Sequence, residues 1–427
     1  MRRFIQLLVI CVLLVHSANA TQRLIVRDTL GQSSLNLTCS LLNCSVAWGL
    51  GDPEGQLFLV EAPDYVNAAG LVQSLLSIIG IVDAEIDQLQ YLRQSAPAIP
   101  SSLYDNNIVS YYGTNVWQGY VNQPAAQIVR IADAQSTFNL SGTGTVAVID
   151  TGVDTTQPVL QPVLVSGYDF TRNKQGSADE KLDITQPTSP VTSGVPPQYL
   201  NSSGAAVLDQ STVSVVDNSQ YAAFGHGTMV AGIIHLVAPT ALIMPLKAFQ
   251  ANGTGYTSDI IRAIYWAVRK NARVLSMSFS MTQPSSELQQ ALSYATSNGA
   301  ICVAAAGNSD ASTAVYPAGY SNVISVASTD NSDNRSSFSN YGTWIWLAAP
   351  GEGIVTTYPW GAYAAVWGTS FSTPFVSGIA SLLLQTNWTL TQTDVANAVA
   401  HAYRLGPDLG NGRLDVVQTI QAVTASN

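Results

Sequence analysis

The sequence predicts an α/β fold: a mostly parallel sheet with helices on both faces, preceded by a small α+β domain. Three observations predict it. From about residue 119 to the C-terminus, short apolar strands alternate with helical segments, the pattern of parallel strands joined by helical crossovers. Residues 21–92 read differently, as β-α-β-β-α-β. The chain has 427 residues, 47% hydrophobic and only 10% charged, which is enough apolar material for a large core.

In chain order, Arg2 and Arg3 precede an apolar run at 4–15 and a small-residue signal ending at Ala20. That is the layout of a cleavable signal peptide over residues 1–20, so a secreted or extracytoplasmic protein is expected, with no membrane contact after its removal. The next domain, 21–92, has strands at 23–27, 44–50, 56–61 and 81–92 and helices at 32–42 and 65–79. The order is that of a ferredoxin-like sandwich. Residues 93–118 hold no period and contain Pro97, Pro100 and Asp105-Asn106-Asn107, which reads as a linker or extended arm.

The domain at 119–427 opens with a buried strand at 143–149. Further strands are expected at 241–246, 272–279, 300–306 and 322–327. Helices are expected at 227–235, 258–270, 285–298, from Ser370 onward, 391–402 and 415–423. Pro374 should fall in the first turn of the Ser370 helix, where a missing N–H costs little. Residues 171–222 are polar and partly Pro-rich. They read as a surface insertion.

Charge excludes one class of partner. Lys and Arg total 17 against 27 Asp and Glu, a net charge of −10, and no basic stripe suits nucleic acid. Cys39 and Cys44 are five residues apart. A bridge in an oxidising compartment and two buried thiols are both open readings. Cys302 sits in an apolar run and reads as core, and no Cys/His spacing suggests a metal.

Four positions carry chemistry. Ser370 stands where Gly368-Thr369-Ser370 runs into an apolar helix, so its hydroxyl faces unpaired backbone N–H groups and the positive helix end. Asp150 ends the first buried strand, where an unpaired carboxylate would be costly. His226 opens a helix between two glycines, and Asn308 follows a buried strand as an amide donor. Each has an ordinary structural reading, as cap, core or turn residue.

Together the four resemble the subtilisin-like serine proteases (subtilases, peptidase family S8). The residues that carry the resemblance are VAVIDTGVD around Asp150, GHGTMVAG around His226, AAAGN ending at Asn308 and GTSFSTP around Ser370. The order Asp, His, Ser is that of subtilisin. The resemblance covers about residues 119–427. It implies an Asp150–His226–Ser370 triad with Asn308 in the oxyanion hole. It implies substrate contacts at Ser278, Ser280, Gly307 and Val315, with protein or peptide substrates. It also implies that 21–92 is a propeptide acting as an intramolecular inhibitor, with a processing site in 93–118. No cofactor is expected for catalysis. A structural calcium is conceivable but unsupported, because only Leu236-Val237 separate His235 from Ala238, where many relatives carry a calcium loop. Ser280 and Met281 stand where members often have Gly, and Phe371 and Ser372 replace the more usual Met and Ala. The expected activity is a secreted serine endopeptidase made as a zymogen. The alternative is a catalytically silent or propeptide-restrained binding protein on the same fold.

Overall fold

The structure, a computed structural model, describes residues 21–91, 93–94, 104–176, 178–185, 202–207 and 221–425. The expected signal peptide, part of the linker and much of the polar insertion lie outside the described residues.

The N-terminal domain has the expected order. Its strands are β1 (Thr21–Asp28), β2 (Ser45–Gly49), β3 (Leu57–Pro63) and β4 (Ile81–Ile86), with helices Gln32–Leu42 and Ala68–Leu76 between them. The sheet runs β2-β3-β1-β4, the ferredoxin-like arrangement. Alternation along β1 divides its side chains between two cores. Leu24 and Val26 pack with Leu35, Leu71 and Leu75 under the domain's own helices. Ile25 joins Leu57 and Leu59 on the opposite face, in a core shared with Ile260, Ile264 and Ala267 of helix Thr257–Arg269. Cys39 and Cys44 form a disulfide, with Cα atoms 4.5 Å apart.

Polar contacts fix the two domains together. Arg27 makes a bidentate pair with Glu287 of helix Ser286–Ser297 (3.0 and 2.6 Å) and reaches Asp52 at 3.3 Å. Asp87 accepts from the N–H of Ser258 (2.9 Å) and its Oγ (2.7 Å), and Glu85 accepts from the N–H of Ser286 (3.1 Å). Two carboxylates of the N-terminal domain thus meet the positive ends of two helices of the larger one.

The chain continues through β5 (Leu89–Tyr91) and β6 (Arg93–Gln94). Residues 108–117, expected as part of a linker, form a hairpin of β7 (Ile108–Tyr111) and β8 (Thr114–Trp117) around the Tyr112-Gly113 turn. Tyr111 anchors it, donating its hydroxyl to Leu236 O at 2.6 Å.

The larger domain supplies β9 (Thr145–Asp150), β10 (Tyr168–Asp169), β11 (Lys174–Gln175), β12 (Ser202–Val207), β13 (Leu242–Lys247) and β14 (Thr254–Tyr256). It continues with β15 (Val274–Met277), β16 (Ile301–Ala305), β17 (Ile324–Thr329), β18 (Leu347–Pro350), β19 (Ile354–Tyr358) and β20 (Ala362–Trp367). Eight of them form one sheet, β11-β10-β13-β9-β15-β16-β17-β18, parallel except for the edge strand β11. Both faces are buried, as the apolar runs require. Val146 and Val148 of β9 point into one core with the helices His226–Val237 and Thr369–Thr386. Ala147 and Ile149 point into the other, with helices Thr257–Arg269 and Ser286–Ser297. Cys302 is buried in the latter core, where burial pushes its thiol up to about 12. Among the described residues no helix is long and apolar enough to cross a membrane.

Candidate active site

Asp150 is the last residue of β9, at the carboxyl end of the sheet, where functional loops of such folds gather. The next turn rises against helix His226–Val237. Gly227 makes that approach possible: a Cβ there would lie 1.9 Å from Gly152 O. His226, the first helical residue, is thereby placed so that its Nδ1 meets Asp150 Oδ1 at 2.7 Å. The same oxygen accepts the Thr151 N–H at 2.7 Å. The pair is buried, and such a contact holds the ring in the Nδ1–H tautomer with Nε2 as the basic nitrogen. Nε2 has no hydrogen-bond partner among the described residues.

Ser370 lies in the first turn of helix Thr369–Thr386, whose axis crosses the histidine helix closely. A Cβ on Gly378 would lie 2.6 Å from that of Val237. The helix starts one residue before Ser370, so Pro374 is its sixth residue, beyond the first turn, and lacks the N–H that would bond Ser370 O. Ser278 compensates by donating its Oγ to that carbonyl at 2.8 Å. In return Ser370 Oγ donates to Ser278 O at 2.9 Å. Phe371, next to the serine, packs its ring 5.3 Å from the imidazole of His226. The Met-to-Phe departure therefore contacts the histidine itself.

Asn308 reaches the same turn from the end of β16. Its Oδ1 accepts from Thr369 N and Oγ1, both at 2.8 Å, which directs its Nδ2 donor away from Thr369. Gly307 donates its N–H to Thr369 Oγ1 at 3.1 Å. Ser280 and Val315 lie on neighbouring segments joined through Met281 and Tyr316, with Tyr316 N to Met281 O at 2.8 Å. The structure thus brings Asp150 to His226, and Ser278, Asn308 and Gly307 to the first turn of the serine helix, while Ser280 and Val315 lie on adjoining segments. Asp154 is held by Lys181, Thr156 and the N–H of Trp360. Burial alone would raise its pKa, yet these partners hold it below the ordinary aspartate value. No group of three or more His, Cys, Asp or Glu among the described residues is arranged to hold a metal.

Two edges of the site were not expected. β5 pairs antiparallel with β14, Leu89 with Tyr256 and Tyr91 with Thr254. Two residues on, β6 runs parallel to β12, Arg93 beside Ser202. β12 belongs to the polar insertion and lies antiparallel to β20, Gly204 opposite Trp367, three residues before Ser370. The tail of the N-terminal domain therefore passes from an edge beside the Asp150–His226 turn to an edge beside the serine helix. The Asn252-Gly253 turn ahead of β14 is the one sequence signal for that edge.

A sequence profile of the subtilase family matches residues 142–418. Thermitase of Thermoactinomyces vulgaris is 38% identical over 238 residues, 56% of this chain and 74% of the relative. M-protease of Shouchella clausii (strain KSM-K16) is 39% identical over 199 residues, 44% of this chain. The chain spans about half the length of M-protease, 52%. In fold, it is similar to fervidolysin from Fervidobacterium pennivorans, with a TM-score of 0.70 and 21% identity over 94% of this chain and 61% of that one. The profile, the relatives and the shared fold agree: this chain is a member of the subtilase family.

Proposed function

We propose that the chain is a serine endopeptidase, exported and made as a zymogen, that hydrolyses peptide bonds through an acyl-enzyme. Ser370 Oγ attacks the scissile carbonyl. His226 Nε2 accepts its proton and returns it to the leaving amine, and Asp150 stabilises the imidazolium. The oxyanion meets Asn308 Nδ2 and the Ser370 N–H at the positive end of the serine helix. The observation that carries this reading is the 2.7 Å Nδ1 contact to Asp150, which leaves Nε2 as the base beside the serine helix. No step calls for a cofactor.

The restraining role of residues 21–92 rests on β5. A strand on β14 followed by residues beside β12 is how an extended peptide would lie along the cleft. Ser280 and Val315 are assigned to the walls of the pocket for the residue before the cut. Intact mass after exposure to a fluorophosphonate, on wild type and Ser370→Ala, tests the reading. One adduct on a wild-type chain shortened to begin between about residues 93 and 118 is expected, and none on the variant. A folded wild type that takes no label refutes it.

A further inference from the structure

The polar insertion sends one side chain between the turn after Asp150 and the start of the His226 helix. Glu180 is fully buried. Its Oε2 accepts from Thr151 Oγ1 at 3.0 Å and from the Gly225 N–H at 2.9 Å, and its Oε1 accepts from Thr228 Oγ1. Thr151 follows Asp150 in the chain, and Gly225 precedes His226. Each threonine hydroxyl already accepts a backbone N–H, Thr151 from Gly227 (3.0 Å) and Thr228 from Asp154 (2.8 Å). Their protons are therefore directed at Glu180. The segment is laced to the same turn by Val153 N to Ala178 O at 2.9 Å. Three donors converging on one carboxyl suit the anion, while complete burial favours the acid. Packing alone does not call for an ionisable group at this point, and the triad chemistry leaves Glu180 unused.

We propose that Glu180 is a positioning residue for the Asp150–His226 pair: it clamps the turn after the aspartate to the start of the histidine helix, and its ionisation adds a second negative charge next to that of Asp150. Its consequence for turnover rests on the serine-protease reading above, whereas the clamp and the charge coupling do not. The groups facing the carboxyl are Asp150 on β9, Lys247 on β13 and Tyr358 on β19. Lys247 Nζ is tied to Thr151 O (2.6 Å) and to Asp183 (2.7 Å), on Glu180's own segment. Burial pushes the Glu180 carboxyl up to about 8, with Asp150 adding to the rise and Thr228, Lys247 and Thr151 opposing it. The charge therefore appears in the mildly alkaline range, where it adds to that of Asp150.

The test uses the full chain carrying Ser370→Ala. The proton shared by His226 Nδ1 and Asp150 is followed by proton NMR from pH 5 to 10 and assigned by its loss in His226→Gln. Two inflections are expected, one of them near pH 8, and Glu180→Gln removes that one while keeping the resonance sharp. Glu180→Ala, which loses the clamp, speeds solvent exchange of the same proton at least tenfold. Identical titrations in the Glu180→Gln and parental chains overturn the proposal. Fluorophosphonate labelling of Ser370 separates the two readings. With the serine restored, Glu180→Ala should label at least tenfold more slowly and Glu180→Gln should restore most of the rate. A chain that never labels but shows the coupled inflection refutes the protease and leaves the clamp standing. A chain that labels at one rate in all three forms, with one inflection, does the reverse.

Discussion

Arg27 gives the sharpest test of how the N-terminal domain is held. Its guanidinium lies between two buried carboxylates, bidentate to Glu287 across the domain boundary and 3.3 Å from Asp52 within its own domain. Arg27→Met keeps most of the apolar stem but leaves Glu287 buried with only the Gln290 amide, 3.3 Å away. Removing one partner of such a pair costs about 3–5 kcal/mol, because the remaining charge is uncompensated. Burial already raises the Glu287 pKa, against the pull of Arg27, so without the arginine the carboxyl takes up a proton and the lower part of that range is expected. A loss of about 3 kcal/mol speeds local opening roughly a hundredfold. Hydrogen exchange at the β1 amides, in a Ser370→Ala chain that cannot digest itself, reads that opening directly. The double variant Arg27→Met/Glu287→Met should recover most of the loss, since two apolar side chains of similar volume replace the pair. Less than a tenfold change in the single variant, or a double variant no better than the single, would refute the reasoning.

Three further outcomes follow from the same contacts. Ser278→Ala removes the hydroxyl that satisfies Ser370 O opposite Pro374 and should destabilise the chain by about 1–3 kcal/mol in urea unfolding, with a slower reaction of Ser370 with fluorophosphonate. Asn308→Ala should lower kcat by about 10²–10³ on a peptide substrate while KM changes little, the loss reported for an oxyanion donor in this family. Glu85, half-buried against the Ser286 helix, has its carboxyl pushed up to about 7 by desolvation, with Ser285 opposing and Asp83 adding. A pKa raised in the docked state means that docking is strongest below the free value near 4.5 and weakens as pH climbs through about 7. Exchange at β4 amides, corrected for its intrinsic pH dependence, should therefore rise over that window, and Glu85→Gln should flatten the rise.

The architecture was legible wherever burial on both faces wrote itself into the sequence. The strands ending at Asp150 and preceding Asn308 are continuous apolar runs because helices cover the sheet on both sides, and Asp150 and Asn308 stand at the ends of those runs. What the sequence hid depends on edges. β12 reads Ser202-Ser203-Gly204-Ala205-Ala206-Val207, with no alternation to mark it, and it is a strand because β20 offers it a line of backbone donors and acceptors. β14 is three residues long and likewise takes its identity from its partner. The 108–117 hairpin escaped because its hydrophobic content is mixed, and of its two buried side chains, Tyr111 and Val116, the first is held by a hydrogen bond to a helix more than a hundred residues away. Pro374 was misplaced for a related reason. The helix begins at Thr369 because Asn308 holds that residue's N–H and hydroxyl, and the carbonyl that Pro374 cannot bond is served by Ser278. In each case the deciding partner is distant in sequence. Glu180 extends the same logic into the insertion: among the polar residues of 171–222, it became legible only once β9 and the histidine helix had enclosed it between Thr151, Gly225 and Thr228. A segment that reads as a surface insertion can thus carry both a strand paired with β20 and a carboxyl that ties the turn after Asp150 to the start of the histidine helix, because short-range pattern records burial and long-range pairing leaves almost no trace in it.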